Sequence, residues 1–332
     1  MDGAMPRPTM SITSVHNPRV AAVCGLRKHR ERDATGLFVA EGRREVPRAV
    51  AAGLAVREVW HCPELMAGND PDLAFVREHV GEACAWYEVT PAVLQKMAYL
   101  DTPHGLIAVV EQPRWEEDVA GVGFRVSGIG QGTHASLGPD TRHPTPDTRA
   151  GAAPLFLIAV GLAKPGNLGA MARTAAAAGA DALLIADGVV DAFNPNAIRA
   201  STGAVFSLPV IGNTTEAWRA WLTTRGVSII SAALTGEDVY TQPPDLTGPA
   251  ALVIGAEDAG LPPAWLQEPA RTVRVPMSER VPGVVDSLNA AACAAVLLFE
   301  AVRQRACLKN SHASQGPAPD LGTANSQKMK NR

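Results

Sequence analysis

Five polar residues in the second half of the sequence carry its chemistry. Asn167 and Arg173 lie six residues apart just past an apolar run. Glu257 follows another apolar run, between Gly255 and Gly260, and Ser287 and Asn289 open a long alanine-rich stretch. An arginine guanidinium is a planar fork suited to phosphate or carboxylate. A strong base is missing from this half. All eight histidines (16, 29, 61, 79, 104, 134, 143 and 312) lie outside residues 144–311, and Lys164 is the only lysine between 151 and 306. A histidine-based triad or metal site is therefore excluded there. The chemistry must rest on positioning and charge.

The elements holding these residues follow from apolar periodicity. Runs at 155–160, 182–186, 205–210, 227–233, 251–255 and 271–277 read as strands, and 168–179, 215–224 and 287–305 as helices. Fully apolar strands alternating with helices predict a parallel sheet covered on both faces, with ligands at the carboxyl ends of its strands. Gly166 and Gly169 would permit a tight turn and close backbone approach. Asn167 would cap the helix that follows, and Asp286 or Ser287 the alanine-rich one. Asn167 and Arg173 would project from the same end of the sheet. The stretch Gly128 to Gly132 does not complete a dinucleotide fingerprint, because Thr133 stands at the third glycine position and no helix follows.

The chain has 332 residues, about two domains by length, with 30 basic against 33 acidic side chains. Its longest apolar stretches fall short of the ~20 residues that span a bilayer. Five scattered cysteines without a C-x-x-C pair argue against disulfides and zinc. With no apolar run behind the first charges, a reducing cytoplasm is the expected location. Composition divides the chain into a mixed block at 1–113, a flexible Gly/Pro-rich linker or insertion at 114–153, the apolar block at 154–306, and a disordered tail at 307–332. In the first block, Leu37 to Ala40, Val56 to Trp60 and Leu106 to Val110 read as strands, and Pro47 to Gly53 as a helix. Residues 19–48 carry eight Arg or Lys against four acids in a chain of net charge −3. That excess is either a solvated helix surface or a face that tracks phosphates.

In order, the motifs resemble a known family. N-x-G-x-x-x-R (Asn167, Gly169, Arg173), I-G-x-E-x-x-G (Ile254, Gly255, Glu257, Gly260), and V-P-M with S-L-N (Val275 to Met277, Ser287 to Asn289) are similar to the three motifs of the SpoU/TrmH branch of the SPOUT methyltransferases. The resemblance covers residues 154–306. It implies an α/β fold with a trefoil knot, S-adenosyl-L-methionine as cofactor, a homodimer, and methylation of a ribose 2′-hydroxyl in RNA. By the same resemblance, Ile254, Gly255, Val275, Met277, Leu288 and Asn289 hold the cofactor, mostly through the backbone. Arg173 acts on the hydroxyl from across the dimer, and Asn167, Glu257, Ser287 and Asn289 position the reactants.

The first block resembles the small RNA-binding domain that precedes this catalytic domain in ribosomal-RNA members. Its signature stretches are Ile12 to Arg19, Leu37 to Gly42 and Thr102 to Gly105. That gives Arg19, Arg27, Lys28, Arg30, Arg43 and Arg44 a role as phosphate contacts. One departure is the nine residues 278–286 between Met277 and Ser287, longer than in relatives. This extension either adjusts target choice or is a neutral loop. The leading reading is methylation of 23S ribosomal RNA, with antibiotic resistance as one setting. The alternatives are the same chemistry on transfer RNA and a non-catalytic RNA-binding assembly factor. No metal and no membrane are expected.

Overall fold

The computed structural model describes residues 9–117 except 67 and 69, 124–127, 153–278 except 189, and 287–313. The loop extension expected at 278–286, apart from Ser278, and the stretch 314–332 lie outside the described residues.

The amino-terminal part is a five-stranded mixed sheet. Its strands are β1 (Thr9–Ile12), β2 (Leu37–Glu41), β3 (Val56–His61), β4 (Ala85–Val89) and β5 (Leu106–Glu111), in the order β1-β4-β3-β5-β2. β1 and β3 pair with β4 in parallel, and β5 runs antiparallel to β2 and β3. Helices α1 (Pro18–Gly25), α2 (His29–Thr35), α3 (Glu45–Ala51), α4 (Pro71–His79) and α5 (Pro91–Met97) connect the strands. Proline follows Asn17 and Asp70, whose carboxyl or amide oxygens accept the first free N–H groups of α1 and α4. The four segments predicted here appear within two residues at each end.

Within the expected linker, β6 (Arg114–Glu117) and β7 (Phe124–Ser127) form an antiparallel pair. Residues 118–123 and 128–152 lie outside the described residues.

The carboxyl-terminal part is a six-stranded, wholly parallel sheet. It contains β8 (Leu155–Val160), β9 (Ala182–Ala186), β10 (Val210–Asn213), β11 (Ser228–Asp238), β12 (Ala250–Ile254) and β13 (Arg271–Arg274), in the order β10-β9-β8-β12-β11-β13. Every residue of β8, β9 and β12 is buried, as a sheet covered on both faces requires. Its helices are α6 (Pro165–Ala178), α7 (Pro195–Ser201), α8 (Thr215–Thr224) and α9 (Ala290–Ala313). On α9, Ala290, Ala294, Leu297, Leu298 and Ala301 are buried, a helical stripe facing the core. No helix among the described residues is long and apolar enough to cross a membrane.

Two expectations are corrected. The run 205–210 is not a strand: Ala204–Phe206 is a 3-10 turn, and pairing starts only at Val210. A short apolar run looks the same whether it is extended or a buried turn, and Pro209 interrupts this one. The last helix continues to Ala313, past the expected boundary at 306.

The two sheets meet in a packed seam. Phe38 of β2 stacks on Phe193 at 4.7 Å and on Phe206 at 5.5 Å between ring centroids. Arg32 of α2, only 1% exposed, holds Asp191 Oδ2 through Nε at 2.6 Å and Nη2 at 2.5 Å. Its Nη1 donates to the Leu26 carbonyl at 2.7 Å, so the buried cation is fully engaged. Arg48 of α3 donates to the Thr202 carbonyl at the end of α7.

Candidate active site

Three segments leave the carboxyl edge of the parallel sheet or adjoin it, and two of them, at Glu257 and Asn289, are in contact. The β12 register ends at Ile254 and that of β13 at Arg274, so Gly255 and Val275 to Met277 lie just beyond the ladders. The third segment, Ser287 to Asn289, leads into α9. Gly255 has a steric reason to be glycine. A Cβ there would overlap the Gly260 carbonyl and sit 2.8 Å from the Leu261 nitrogen. The hairpin is closed by the Gly260 N–H donating to the Ala256 carbonyl at 2.9 Å, and Gly260 takes φ +65°.

Glu257 sits at the tip of this hairpin and gathers the other motifs. Lys164 Nζ donates to its Oε2 at 2.8 Å and Asn167 Nδ2 to its Oε1 at 3.2 Å. Asn289 Nδ2 donates to the same Oε1 and lies 3.4 Å from Asn167 Oδ1. The hydrogen bond from Lys164, followed by that from Asn167, holds the Glu257 carboxyl below its usual range. The same bond pushes the Lys164 ammonium up. Glu257 is thus a firmly ionised, weakly basic carboxylate that ties the start of α6 to the start of α9.

This arrangement corrects both capping expectations. The cap position of α6 is Lys164, and Asn167 points across to Glu257 from inside the first turn. Asn289 caps α9: its Oδ1 accepts the Ala291 N–H at 3.0 Å and the Ala292 N–H at 3.4 Å. Asp286 lies outside the described residues, and Ser287 is exposed two positions before the cap. Gly166 has open space around its Cα, so no tight approach requires it. Gly169 is where α7 crosses α6: a Cβ there would overlap the Ala197 carbonyl and stand 2.7 Å from Ala200 Cβ. Lys164 joins the cluster without belonging to any of the motifs, and its isolation in this half of the sequence is the signal that marks it.

Arg173 stands apart. Six residues along α6 is about 9 Å of rise and about 120° of rotation away from Asn167. The side chain is exposed and belongs to the electrostatic surroundings of Arg48, not to the Glu257 cluster. On helix geometry the two side chains leave α6 on different faces.

The basic stretch divides. Arg27 donates to the carbonyls of Lys96 at 3.1 Å and Met97 at 3.2 Å, and to that of Ala98. Arg43 pairs with Asp70 at 2.9 Å and Asp72 at 3.0 Å. Arg19 lies 3.7 Å from Glu58 and 5.4 Å over the Tyr87 ring. Lys28, Arg30 and Arg44 are exposed.

The donor set suits a nucleoside-like cofactor. The half-buried backbone of Gly255 and Val275 to Met277 lies outside the strand registers, flanked by buried Ile254 and by Val275 packed on the core. Among the described residues, no group of three His, Cys, Asp or Glu side chains could hold a metal.

Comparison with known proteins agrees with this geometry. The SpoU rRNA Methylase family matches residues 154–299, and an MRM3-like substrate binding domain matches residues 17–108. A 23S rRNA (uridine(2479)-2′-O)-methyltransferase of Streptomyces viridochromogenes is 38% identical over 42% of this chain, a match spanning half of that relative's length. The 23S rRNA (guanosine(2553)-2′-O)-methyltransferase RlmP of Bacillus subtilis is 28% identical over 87% of this chain and 97% of its own. Among solved structures, an RNA 2′-O ribose methyltransferase is 36% identical, with a TM-score of 0.67, over 90% of this chain and all of that one. The SpoU methyltransferase AviRb of Streptomyces viridochromogenes, in complex with AdoMet, is 27% identical with a TM-score of 0.69 over 88% of this chain and 99% of its own. Three motifs joined at one sheet edge, in a chain that covers the whole of a solved ribose methyltransferase, place this protein in the SpoU rRNA methylase family.

Proposed function

We propose that this protein methylates a ribose 2′-hydroxyl of 23S ribosomal RNA, using S-adenosylmethionine. The observation that carries the reading is the junction of Asn167, Glu257 and Asn289 at the carboxyl edge of the parallel sheet, beside the loops at 255 and 275–277. Relatives with that family's catalytic domain act on the 2′-oxygen of 23S rRNA.

When bound, S-adenosylmethionine supplies an electrophilic methyl group. The loops at Ile254 to Gly255, Val275 to Met277 and Leu288 to Asn289 hold the cofactor through backbone groups. Glu257 fixes Asn167 and Asn289, and so the relative placement of α6 and α9. Ser287 lies on the exposed side of this junction and orients the ribose. In-line approach of the 2′-oxygen is a matter of orientation, which can supply much of the acceleration. Arg173 serves as an electrostatic clamp. A guanidinium does not give up its proton near neutrality, so it grips the neighbouring phosphate and eases negative charge onto the 2′-oxygen.

A homodimer fits two observations. Arg173 lies off the Glu257 cluster of its own chain, and Phe299 on α9 is 49% exposed. A trefoil knot through the loops at 255, 275 and 288 fits their place at or beside one sheet edge. On the substrate-binding part, Lys28, Arg30 and Arg44 contact phosphates. Ribosomal RNA as substrate places the protein in the cytoplasm.

The test uses methyl-labelled S-adenosylmethionine with unmodified 23S rRNA and, separately, transfer RNA, followed by alkaline hydrolysis. Label in alkali-resistant dinucleotides from 23S rRNA is expected, because a methylated 2′-oxygen cannot attack its phosphate. Label in mononucleotides means base methylation and overturns the mechanism. Label only in transfer RNA overturns the substrate, and no label overturns the enzyme in favour of a binding factor. A resistance role depends on which nucleotide is marked, and sequencing the labelled dinucleotide reads it.

A further inference from the structure

Two of the signature stretches, Leu37 to Gly42 and Thr102 to Gly105, have no part in methyl transfer. The Gly42 N–H of the first donates at 3.0 Å to the carbonyl of Leu106, the residue after the second, and both stretches border a cavity of about 380 Å³. The cavity lies on the seam, with α1, β2, α3 and the end of α5 on one side and α7 on the other. Its volume is at the scale of a small-ligand cleft, ~300–1,000 Å³, and too small for a helix of nucleic acid.

Its walls differ in chemistry. Leu26, Val39, Met97 and Ile198 form an apolar floor, three of them buried. Tyr99, 42% exposed, stands at the edge. Glu41 fixes that edge by accepting the backbone N–H groups of Tyr99 at 2.6 Å and Leu100 at 3.3 Å. Gly42, with φ +109°, brings Glu45 and His104 together: a Cβ there would lie 3.0 Å from Glu45 Oε2 and 4.0 Å from His104 Nδ1. These two groups offer an acceptor and a ring nitrogen to the edge of a base.

Four arginines border the space. Arg27 is occupied by the carbonyls that end α5, and Arg43 by Asp70 and Asp72. Arg44 and Arg199 are exposed, one from each side of the seam. Arg48, in the seam, lies in the electrostatic field of both Arg44 and Arg173. Arg44 at the cavity and Arg173 on α6 are thus both cationic neighbours of Arg48. An apolar slot with polar readers at one wall and arginine forks at its mouth has the chemistry of a site for one unstacked nucleotide.

We propose that this seam cavity binds a single unpaired nucleotide of the RNA substrate. The base lies between the apolar floor and Tyr99, and the phosphate on Arg44 and Arg199, while Arg48 and Arg173 carry the backbone on to the methylated ribose. This rests on the RNA methylation reading above.

The test uses the full chain and a 23S rRNA transcript carrying 4-thiouridine in place of part of its uridine, irradiated in complex. Expected are adducts on peptides containing Tyr99, His104 or Ile198. R199E should reduce those adducts and raise KM for RNA at least tenfold, with adenosylmethionine affinity within twofold of wild type. Absence of cavity adducts, or an unchanged KM in R199E, overturns the nucleotide site while 23S methylation by the wild-type protein stands. Loss of adenosylmethionine affinity in R199E also overturns it, because the effect would then be general. Competition by free uridine monophosphate as strong as by the RNA would mean a site for free nucleotides and would overturn the RNA assignment. Failure of the wild-type protein to methylate any RNA overturns the reading beneath it.

Discussion

The seam between the two sheets and the Glu257 cluster both join distant parts of the chain through charged side chains, yet they differ in exposure. At the seam, Arg32 is buried and satisfies Asp191 and the Leu26 carbonyl amid stacked Phe38, Phe193 and Phe206. In the cluster, Lys164 is 65% exposed and Glu257 faces solvent on one side. A buried pair is costly to break because its survivor has no water to turn to. An exposed one is cheap to break, so what Glu257, Asn167 and Asn289 provide is placement rather than stability. The protein thus keeps its rigidity where the two parts touch and its chemistry where loops meet water.

The largest effect is expected at the seam. Arg32→Ala leaves Asp191 with the Phe193 N–H and, 3.9 Å away, His29, and should cost about 3–5 kcal/mol, read by denaturant unfolding. Arg32→Met with Asp191→Leu should recover much of that. If the single variant is as stable as wild type, the seam is not a weld. Arg173→Ala should show the opposite behaviour. It should lower kcat by about 10²–10³-fold, with stability and adenosylmethionine affinity retained. Equal loss of turnover and cofactor binding would remove its role at the hydroxyl.

Smaller effects sharpen the picture. Gly255→Ala forces a methyl group into the Gly260 carbonyl and should cost about 1–3 kcal/mol of overpacking. Calorimetry should find weaker adenosylmethionine binding, and wild-type affinity would remove this hairpin from the cofactor site. The least change is expected from pH. The folded state favours the ionised Glu257, so its contribution is whole above the ordinary carboxylate range and fades as pH falls through and below it. Adenosylmethionine affinity should stay flat from about pH 8 to about pH 6. A limb in that window that disappears in Glu257→Gln would mean that Glu257 titrates in function.

Legibility in the sequence followed the range of the interactions. The strands expected at 155–160, 182–186 and 251–255, the last found at Ala250–Ile254, are readable because both faces are apolar. Helix 215–224 was readable from its own pattern, with Thr214 accepting the Ala217 N–H to cap it. The short α7 was missed, because seven residues carry little period. Asn167 and Asn289 were legible as motif residues, but not as partners of one carboxylate.

The parallel sheet, the motif residues and their order can be read from the amino-acid string, because apolar runs and short spacings are local properties. Folding makes Arg32, one of eight cations in an apparent basic patch, a buried ion-pair partner of a residue 159 positions away. It also decides that Asn167 turns to Glu257, 90 positions on, instead of capping its own helix, and that Arg199 and Arg44 line one cavity. The physical reason is that a side chain's partner is set by which surfaces the fold presses together, and burial then raises the cost of any unpaired alternative.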